Sequence, residues 1–574
     1  MNKLPLFLLL IFLFFSKINK TFAVDNVPGS SQTAKVTIAS NSDTLTINSG
    51  ITLGNLTTQN RADINEKNDV SVIVNSGGSI LSLNNAVQGD DSDDLTVNNS
   101  GTIRAAGSKA INLKDTADSI ITNNLGGVIR SGAGDTISGE AATGGTITNS
   151  GTIYSDDQRA INLFSTSTTT TVTNNSSGHI YNSNTNEAIK LDSSSTLTNS
   201  GKIENKNSPT NNSIRLVGND NTIILKDKSI LIGTIDAGST TGNTLKFQHG
   251  MGQGYYYKTS GDFVLQDLDG NQVVKGSAGS VGQGSTETLD ELLSYKSMSL
   301  RNFFNKFNKA ENKESWGETY VSNLKRDSHT SNLALGYDLT NYGVNLINQI
   351  ENANFVIAFE GGSQKFVKDH EIDYQNISAG IYLPQKDNPY LDLDLFILGG
   401  ITLKDGKRTI LTNTTTSGKL EILSNYETYE IHTGIKRNNS SAIPDLGLSA
   451  SYSITPNYDE SDYFSWDDRH IGNVSIFFSD DYYLIKNKDS KMLLGWTLDM
   501  RSMIGDNKQV YSINGTSATY KQHNDLTSEI SLLANMGYEK KFSEKNSISF
   551  SLEAKDTNQY AKSVGANISL SSKF

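Results

Sequence analysis

Asp90-Asp91-Ser92-Asp93-Asp94 packs four carboxylates into five residues, the sharpest charge cluster in the chain. Oxygen ligands at that density suit Ca²⁺. Neither EF-hand spacing nor a Gly-rich nonapeptide repeat surrounds them, so a solvated turn is the better reading. Asp156-Asp157 with Arg159 offers the carboxylate and base of a polysaccharide lyase, yet no Trp that could stack a sugar stands before residue 316. A nucleophilic triad needs a base. Only His179 and His249 are available before residue 280, and His179 reads as an outward corner residue. Cys is absent, which removes disulfides, thiolate zinc sites and thiol nucleophiles together. The Asn-X-Ser/Thr sequons, as at Asn55 and Asn174, read as composition. No catalytic, cofactor-binding or metal-ligating residue is therefore expected, and the chain is read as not an enzyme.

Composition divides the chain in two. It has 574 residues, 49 Lys+Arg against 61 Asp+Glu, and a net charge of -12. Basic residues are nowhere clustered, which argues against a nucleic-acid partner. Residues 25–280 contain 8 aromatics and residues 281–574 contain 34. The first part is rich in Ser, Thr, Asn and Gly, the second in Tyr and Phe. Such a split suits two different solvents. At the amino terminus, Met1–Lys3 is basic, Leu4–Phe15 is an apolar run, and Thr21-Phe22-Ala23 has small residues at -3 and -1. This is a secretory signal, residues 1–23, cleaved after Ala23. Twelve apolar residues are too few to span a bilayer, which takes ~20.

The first part is a repeat. Asn99-Ser100-Gly101-Thr102-Ile103 returns at Asn149–Ile153 and Asn199–Ile203, with weaker copies around Gly50, Gly77, Gly127 and Gly178. The steps between these Gly are 27, 24, 26, 24, 27 and 23. A second word follows, as in Ala110-Ile111-Asn112-Leu113 and Ala160-Ile161-Asn162-Leu163. A third closes the period, as in Thr96-Val97-Asn98-Asn99 and Thr146-Ile147-Thr148-Asn149. Three short strands per ~25 residues match one coil of a parallel β-helix, since the Leu/Asn pattern of leucine-rich repeats is missing. Ile, Val and Leu should point inward and Thr, Ser and Asn outward. Gly and Asn should supply left-handed corners, and stacked Asn can bond from coil to coil. Seven coils at ~4.8 Å make a rod roughly 35 Å long. The β-helix is expected over 24–246. Tyr255–Tyr257, Asp262–Leu265 and Asn271–Val274 read as capping hairpins, the last two joined at Asp269-Gly270, so 247–284 is a cap and linker.

Residues 285–312 change period. Within Glu287–Lys309, Leu289, Leu292, Leu293, Met298, Leu300, Phe303, Phe304 and Phe307 fall near helical spacing. From 313 onward the period is two, as in Leu446, Leu448, Ala450, Tyr452 and Ile454, or Val564, Ala566, Ile568 and Leu570. The opposite face carries Asp392, Asp394, Glu430, His432, Lys436, Asp499, Arg501, Glu553 and Lys555. Alternation over ~9–11 residues, with charge on one face and aromatics at the strand ends, is the pattern of a membrane barrel with a wet lumen. Twelve strands are predicted, at about 315–323, 330–339, 354–366, 371–383, 390–404, 426–437, 444–455, 470–479, 490–504, 524–540, 546–556 and 562–574. Asp405–Asn425 and Pro456–Arg469 read as long outer loops, and Pro384–Pro389 and Lys541–Lys545 as short turns.

Signal, β-helix, helix, twelve-stranded barrel and terminal Phe574, with Gly537-Tyr538-Glu539, Ser549–Ala554 and Ala566–Phe574 near the end, together resemble the monomeric (type V) autotransporters of Gram-negative bacteria. The resemblance implies an all-β fold with a right-handed β-helix passenger, a pore-spanning helix and a barrel in the outer membrane. It implies a passenger exposed at the cell surface as an adhesin-like rod, with a secreted enzyme passenger as the alternative. The implied partners are outer-membrane lipid, the barrel assembly machinery reading Phe574, and a host-cell or matrix receptor. The barrel is expected to be monomeric, because the trimeric branch supplies only four strands per chain. Protease passengers of the family place their nucleophile in Gly-Asp-Ser-Gly, whereas Gly134-Asp135-Thr136-Ile137 lacks the Ser. Some members cleave themselves between two adjacent Asn of the pore helix. Here Asn302, Asn305 and Asn308 are never adjacent, so the passenger is expected to stay attached.

Overall fold

The repeated words become rungs. In the computed structural model Thr96–Asn99, Ile120–Asn123, Thr146–Asn149, Thr171–Asn174 and Thr196–Asn199 stack in parallel without slip. Thr102–Ala105, Val128–Ser131, Thr152–Ser155, His179–Asn182 and Lys202–Asn205 do the same, and so do the strands begun by Ile111, Ile137, Ile161 and Ile189. The described residues are 24–59, 62–164, 166–274, 277–282, 289–310, 314–329, 335–350, 353–385, 393–438, 443–506, 508–513, 516, 519–523 and 527–573. The predicted signal with Ala23, and Phe574, lie outside them. Two compact units emerge. One holds the residues up to His249 with Tyr257–Gln266 and Thr412–Gly418; the other holds Gly250–Tyr256, Asp267–Leu411 and Lys419 onward.

The first unit is a parallel β-helix of about nine turns, with sheets of 11, 8 and 10 strands. One apolar side chain per rung forms each inner row, such as Ile103, Ile129, Ile153, Ile180 and Ile203, all buried. Each contributes on the order of 1.5–3 kcal/mol by leaving water. The last Asn of the third word departs from the expected outward direction. Asn99, Asn123, Asn149, Asn174 and Asn199 point inward and are fully buried. Each amide Nδ2 donates to the Oδ1 of the next, at 2.8, 2.8, 2.9 and 2.8 Å. Only a ladder that satisfies its own donors and acceptors makes this burial tolerable.

The consensus Gly divide: Gly50 and Gly77 take the expected left-handed backbone, and the later copies serve another purpose. Gly127, Gly151 and Gly201 are absent from the positive-φ positions. A Cβ on Gly151 would instead collide with the backbone carbonyls of Gly127 and Asn124. Close approach of successive coils, not left-handed backbone, excludes a side chain there. Left-handed corners are occupied by Gly, as at Gly50, Gly77, Gly126 and Gly144, and by Asp, as at Asp91, Asp94, Asp115, Asp118 and Asp220, and by no Asn among the described residues. The capping hairpins are not formed. Thr259–Ser260 pairs in parallel with Ile235 and Asp236, Val264–Asp267 extends the 11-stranded sheet, and 271–274 lies in no strand. A parallel stack can simply grow by another turn, which a short apolar run does not distinguish from a hairpin.

The second unit is a closed antiparallel barrel with a helix, α1 (Leu289–Lys309). Its strands are β1 (Ser315–Arg326), β2 (Tyr337–Ile350), β3 (Ala353–Phe366), β4 (His370–Leu383), β5 (Asp394–Thr412), β6 (Lys419–Arg437), β7 (Asp445–Thr455), β8 (Arg469–Lys486), β9 (Ser490–Gly505), β10 (Ser528–Lys541), β11 (Asn546–Thr557) and β12 (Ala561–Ser572). β1 pairs with β12 over its whole length, closing the sheet. The count of twelve stands, but limits move. The second strand, expected at 330–339, is Tyr337–Ile350, so 340–350 is strand and not loop. The expected loop Asp405–Asn425 is mostly the continuation of β5 and β6, paired through Leu411↔Lys419. Its outward side chains include Asp405, Lys407 and Glu421, with Leu423 still apolar, because alternation with lipid is lost where lipid ends. The loop between β7 and β8 carries a short hairpin, Tyr458–Glu460 with Phe464–Trp466. That between β9 and β10 carries Lys508–Ile513 with Thr519–His523.

Candidate functional site: the barrel lumen and its helix

Inward positions of the barrel strands alternate with outward Val, Ile, Leu, Phe and Tyr that are exposed, such as Val344, Phe359, Ile377, Ile431 and Ile568. An apolar exterior closed on itself, with no free sheet edge, is stable only in hydrocarbon. The polar face expected for the lumen is there. Asp394, His432, Lys436, Asp499, Arg501 and Lys555 are buried, Glu430 and Glu553 face inward with them, and Asp392 lies outside the described residues. Among described residues no helix is long and apolar enough to cross a membrane.

What fills the lumen is α1. Its cations Lys296, Arg301 and Lys306 recur every five residues and each meets a carboxylate of the wall. Lys296 Nζ lies 2.6 Å from Glu430 Oε2. Arg301 pairs with Asp499, donates to Ser449 Oγ at 2.6 Å, and lies 4.3 Å over the Phe477 ring. Lys306 bridges Glu318 at 2.9 Å and Glu553 at 2.5 Å. In the reverse sense, wall residue Arg326 donates to Glu291 of α1 at 2.6 Å, and Tyr337 Oη donates to the same carboxylate at 2.7 Å. Between these pairs Leu300, Phe303, Phe304 and Phe307 pack on Trp316, Tyr382 and Phe396. The apolar stripe that the sequence showed thus faces one wall of the barrel and not a globular core. Charges so buried hold because each is paired; removing one partner costs about 3–5 kcal/mol.

The helix asparagines are anchors as well. Asn302 Oδ1 accepts from Asn535 at 3.4 Å, Asn305 Oδ1 accepts from Lys436 at 2.6 Å, and Asn308 donates to Asp394 at 2.9 Å. Sequence reasoning missed the Glu291–Arg326–Tyr337 cluster, since a pairing between helix and wall has no local pattern. The five-residue spacing of the cations was a usable signal. At the loop-rich end, Arg408 pairs with Glu460 and donates to the Val281 carbonyl at 2.6 Å. There Val274, Val281, Ile410, Ile422, Phe464, Trp466, Tyr511 and Ile513 form a separate small core.

The candidates in the β-helix are tied into its coils. Asp93 Oδ1 accepts the Ala117 amide at 2.9 Å, Asp90 accepts from Asn112, and Ser92 Oγ donates to the Ile64 carbonyl at 2.9 Å. Burial raises the Asp90 carboxyl above its ordinary value. No His/Cys/Asp/Glu group of metal-site geometry occurs among described residues. Asp156 pairs with Arg130 of the preceding coil, Asp157 accepts from Asn184 at 2.7 Å, and Arg159 pairs with Glu187 at 2.5 Å. The suggested carboxylate and base therefore face different partners. Thr136 is buried, donating to the Tyr154 carbonyl at 2.5 Å. His179 faces outward from its strand and lies 3.1 Å from Glu204. Burial alone would raise the Glu204 pKa, but bonds from His179 and Lys202 outweigh it and hold it at about 2. His249 is buried against Tyr257 Oη, 3.1 Å away.

No family model and no curated protein matches the chain. Among solved structures it is similar to the translocator domain of autotransporter NalP from Neisseria meningitidis, at 11% identity and TM-score 0.36, covering 51% of this chain and 100% of that one. It is similar to the transport unit of the autotransporter AIDA-I from Escherichia coli, at 9% and 0.30, covering 49% and 98%. The β domain of the Bordetella autotransporter Brka matches at 9% and 0.30, covering 45% and 98%. A parallel β-helix, a lumen helix and a closed twelve-stranded antiparallel barrel thus follow one another in that order along one chain.

Proposed function

We propose that the barrel supports export of the chain's own β-helix to the cell surface, and that the β-helix works there by contact rather than catalysis. The observation that carries the first part is α1, which follows the β-helix in sequence and is held inside the lumen by pairs along its length. A polypeptide seated in this way is what remains when the preceding segment has left through the same pore. The second part is supported by the regular outward rungs of Thr122, Thr148, Thr173 and Thr198. Such a surface suits distributed hydrogen bonding to a host-cell or matrix receptor; catalysis needs several groups convergent on one point. In this reading Phe574 is the signal for the barrel assembly machinery, the barrel works as a monomer, and the β-helix stays attached because the helix asparagines serve as anchors.

Protease shaving of intact cells, probed with an antibody to residues 25–280, tests export: the epitope should be lost from whole cells while the barrel survives. Retention of the epitope in intact cells, with loss only after lysis, refutes export. Cell binding by the displayed segment, set beside a protease, esterase and glycan-lyase screen of the same material, tests contact against catalysis. Turnover abolished by replacing one carboxylate, Ser or His would establish the enzyme reading instead.

A further inference from the structure

Between the β-helix and α1 the chain runs through Ser277-Ala278-Gly279-Ser280-Val281-Gly282, with no side chain larger than that of Val. Such a composition reads as a flexible linker, open to proteases. The structure shows the reverse, because every residue of Ser277–Gly282 is buried. Small size here is a matter of fit. A Cβ on Gly279 would collide with Ile513 Cδ1 and stand 3.2 Å from the Tyr255 carbonyl oxygen. Ala278–Ser280 runs as a strand beside the one begun by Tyr255, which pairs in turn with β5.

Three separate hairpins of the loop-rich end supply the cover. Ile410 and Ile422 belong to the extension of β5 and β6, Phe464 and Trp466 to the hairpin between β7 and β8, and Tyr511 and Ile513 to that between β9 and β10. They close on Val274 and Val281. The second and third hairpins are joined, since Phe464 pairs with Ile513 and Trp466 with Tyr511. The first meets the second at Ser424 and Glu460. Polar contacts fix the chain beneath them. Tyr511 Oη donates to the Gln272 carbonyl at 2.7 Å, and Arg408 donates to the Val281 carbonyl at 2.6 Å. Without this strap the hairpin tips would present an apolar face to water; without the hairpins the strap would lie open.

We propose that Ser277–Gly282 is a cryptic release site, and that the three hairpins are a clasp that keeps it shut. The fitting partner is an extracellular endopeptidase that prefers small side chains. Such an enzyme takes its substrate extended, and Ala278–Ser280 is extended already, so only the cover withholds it. In the step itself water adds across the Ala278–Gly279 peptide bond, leaving a carboxylate on Ala278 and an amine on Gly279. Shedding of the β-helix is then governed by opening of the clasp. The proposal deepens the reading that the β-helix stays attached, and rests on it.

The purified full chain, in detergent, is treated with elastase, which cuts after small side chains, and the new ends are identified by mass spectrometry. Wild type should resist within Ser277–Gly282. Cutting follows the population of the open form when reclosing is fast. Trp466→Ala empties the centre of the clasp, so cutting in the strap should quicken by roughly 100-fold or more and release the β-helix as one fragment. Tyr511→Phe keeps the ring and loses only the bond to Gln272, so a rise of about fivefold is expected. Asp459→Asn, exposed on the hairpin of Trp466, should change nothing. Ready cutting of the wild-type strap, or equal rates in wild type, W466A and Y511F, overturns the clasp. Unheated migration reports whether each barrel is folded, and if W466A is not, Y511F decides. Loss of the β-helix from wild-type cells through a bond outside Ser277–Gly282 would defeat the attached reading and leave the clasp standing.

Discussion

Arg301 is the side chain on which the seating of α1 is most exposed to a single change. Its guanidinium is buried, pairs with Asp499, bonds Ser449 and covers the Phe477 ring. In Arg301→Met the volume and the contact with Phe477 are largely kept, while Asp499, whose side chain is 2% exposed, loses its countercharge. Leaving a buried carboxylate unpaired costs about 3–5 kcal/mol. If that cost falls on the helix-in state, the helix-out state gains roughly two to three and a half powers of ten in relative population, at ~1.4 kcal/mol per tenfold. A lumen without its helix conducts ions. Planar-bilayer recordings of the purified full chain should therefore show open dwell times that are rare in wild type and frequent in R301M. The double variant R301M/D499L should close the lumen again to within about tenfold, because two apolar partners replace a buried pair at little cost. Unchanged conductance in R301M, with the barrel still folded by unheated migration, would mean that the pairs do not hold the helix. A double variant as open as the single would mean that the effect was not electrostatic.

Three further outcomes are expected. Asn149→Ala removes a donor to Asn174 and an acceptor from Asn123 inside the β-helix; at ~1 kcal/mol per bond and 1–3 kcal/mol for an orphaned group, pulse proteolysis in urea should find that segment less stable by about 3–5 kcal/mol. Glu204 is held at about 2, below its unfolded value, so it contributes stability that is full above about pH 5 and lost as pH falls toward 2. In Glu204→Gln that part of the acid dependence should disappear, and an unaltered acid profile of proteolysis would contradict the assignment. Deletion of Phe574 should lower the heat-modifiable barrel in outer-membrane fractions at low expression; wild-type amounts would deny it an assembly role.

The two architectures were legible in the sequence because each repeats a local rule. One Ile per rung every ~25 residues dictates a coil, and alternation of period two across a dozen segments dictates a barrel. The helix was legible for the same reason, from Leu292 to Phe307. Errors arose where a local pattern has two solutions. Val264–Asp267 can pair with a hairpin partner or add a parallel turn, and Asp405–Asn425 can be a loop or a strand that has left the membrane. Composition is the same in both cases, and only pairing decides.

The candidate site was half visible. The wall charges Glu430, Asp499 and Glu553 stood out because polar residues on alternate strand positions need a wet lumen. That these charges are spent on Lys296, Arg301 and Lys306 was hidden, since the partners are 134, 198 and 247 residues apart in the chain. The inner Asn ladder was hidden differently. A strand direction read from polarity sends Asn outward, and only stacking at one rung spacing lets Asn99 to Asn199 satisfy one another and turn in. Local periodicity therefore determined which elements form and which faces are apolar. Tertiary structure decided the partners of the polar groups, because a buried charge or amide is tolerated only once its counterpart, remote in sequence, has been brought within bonding distance.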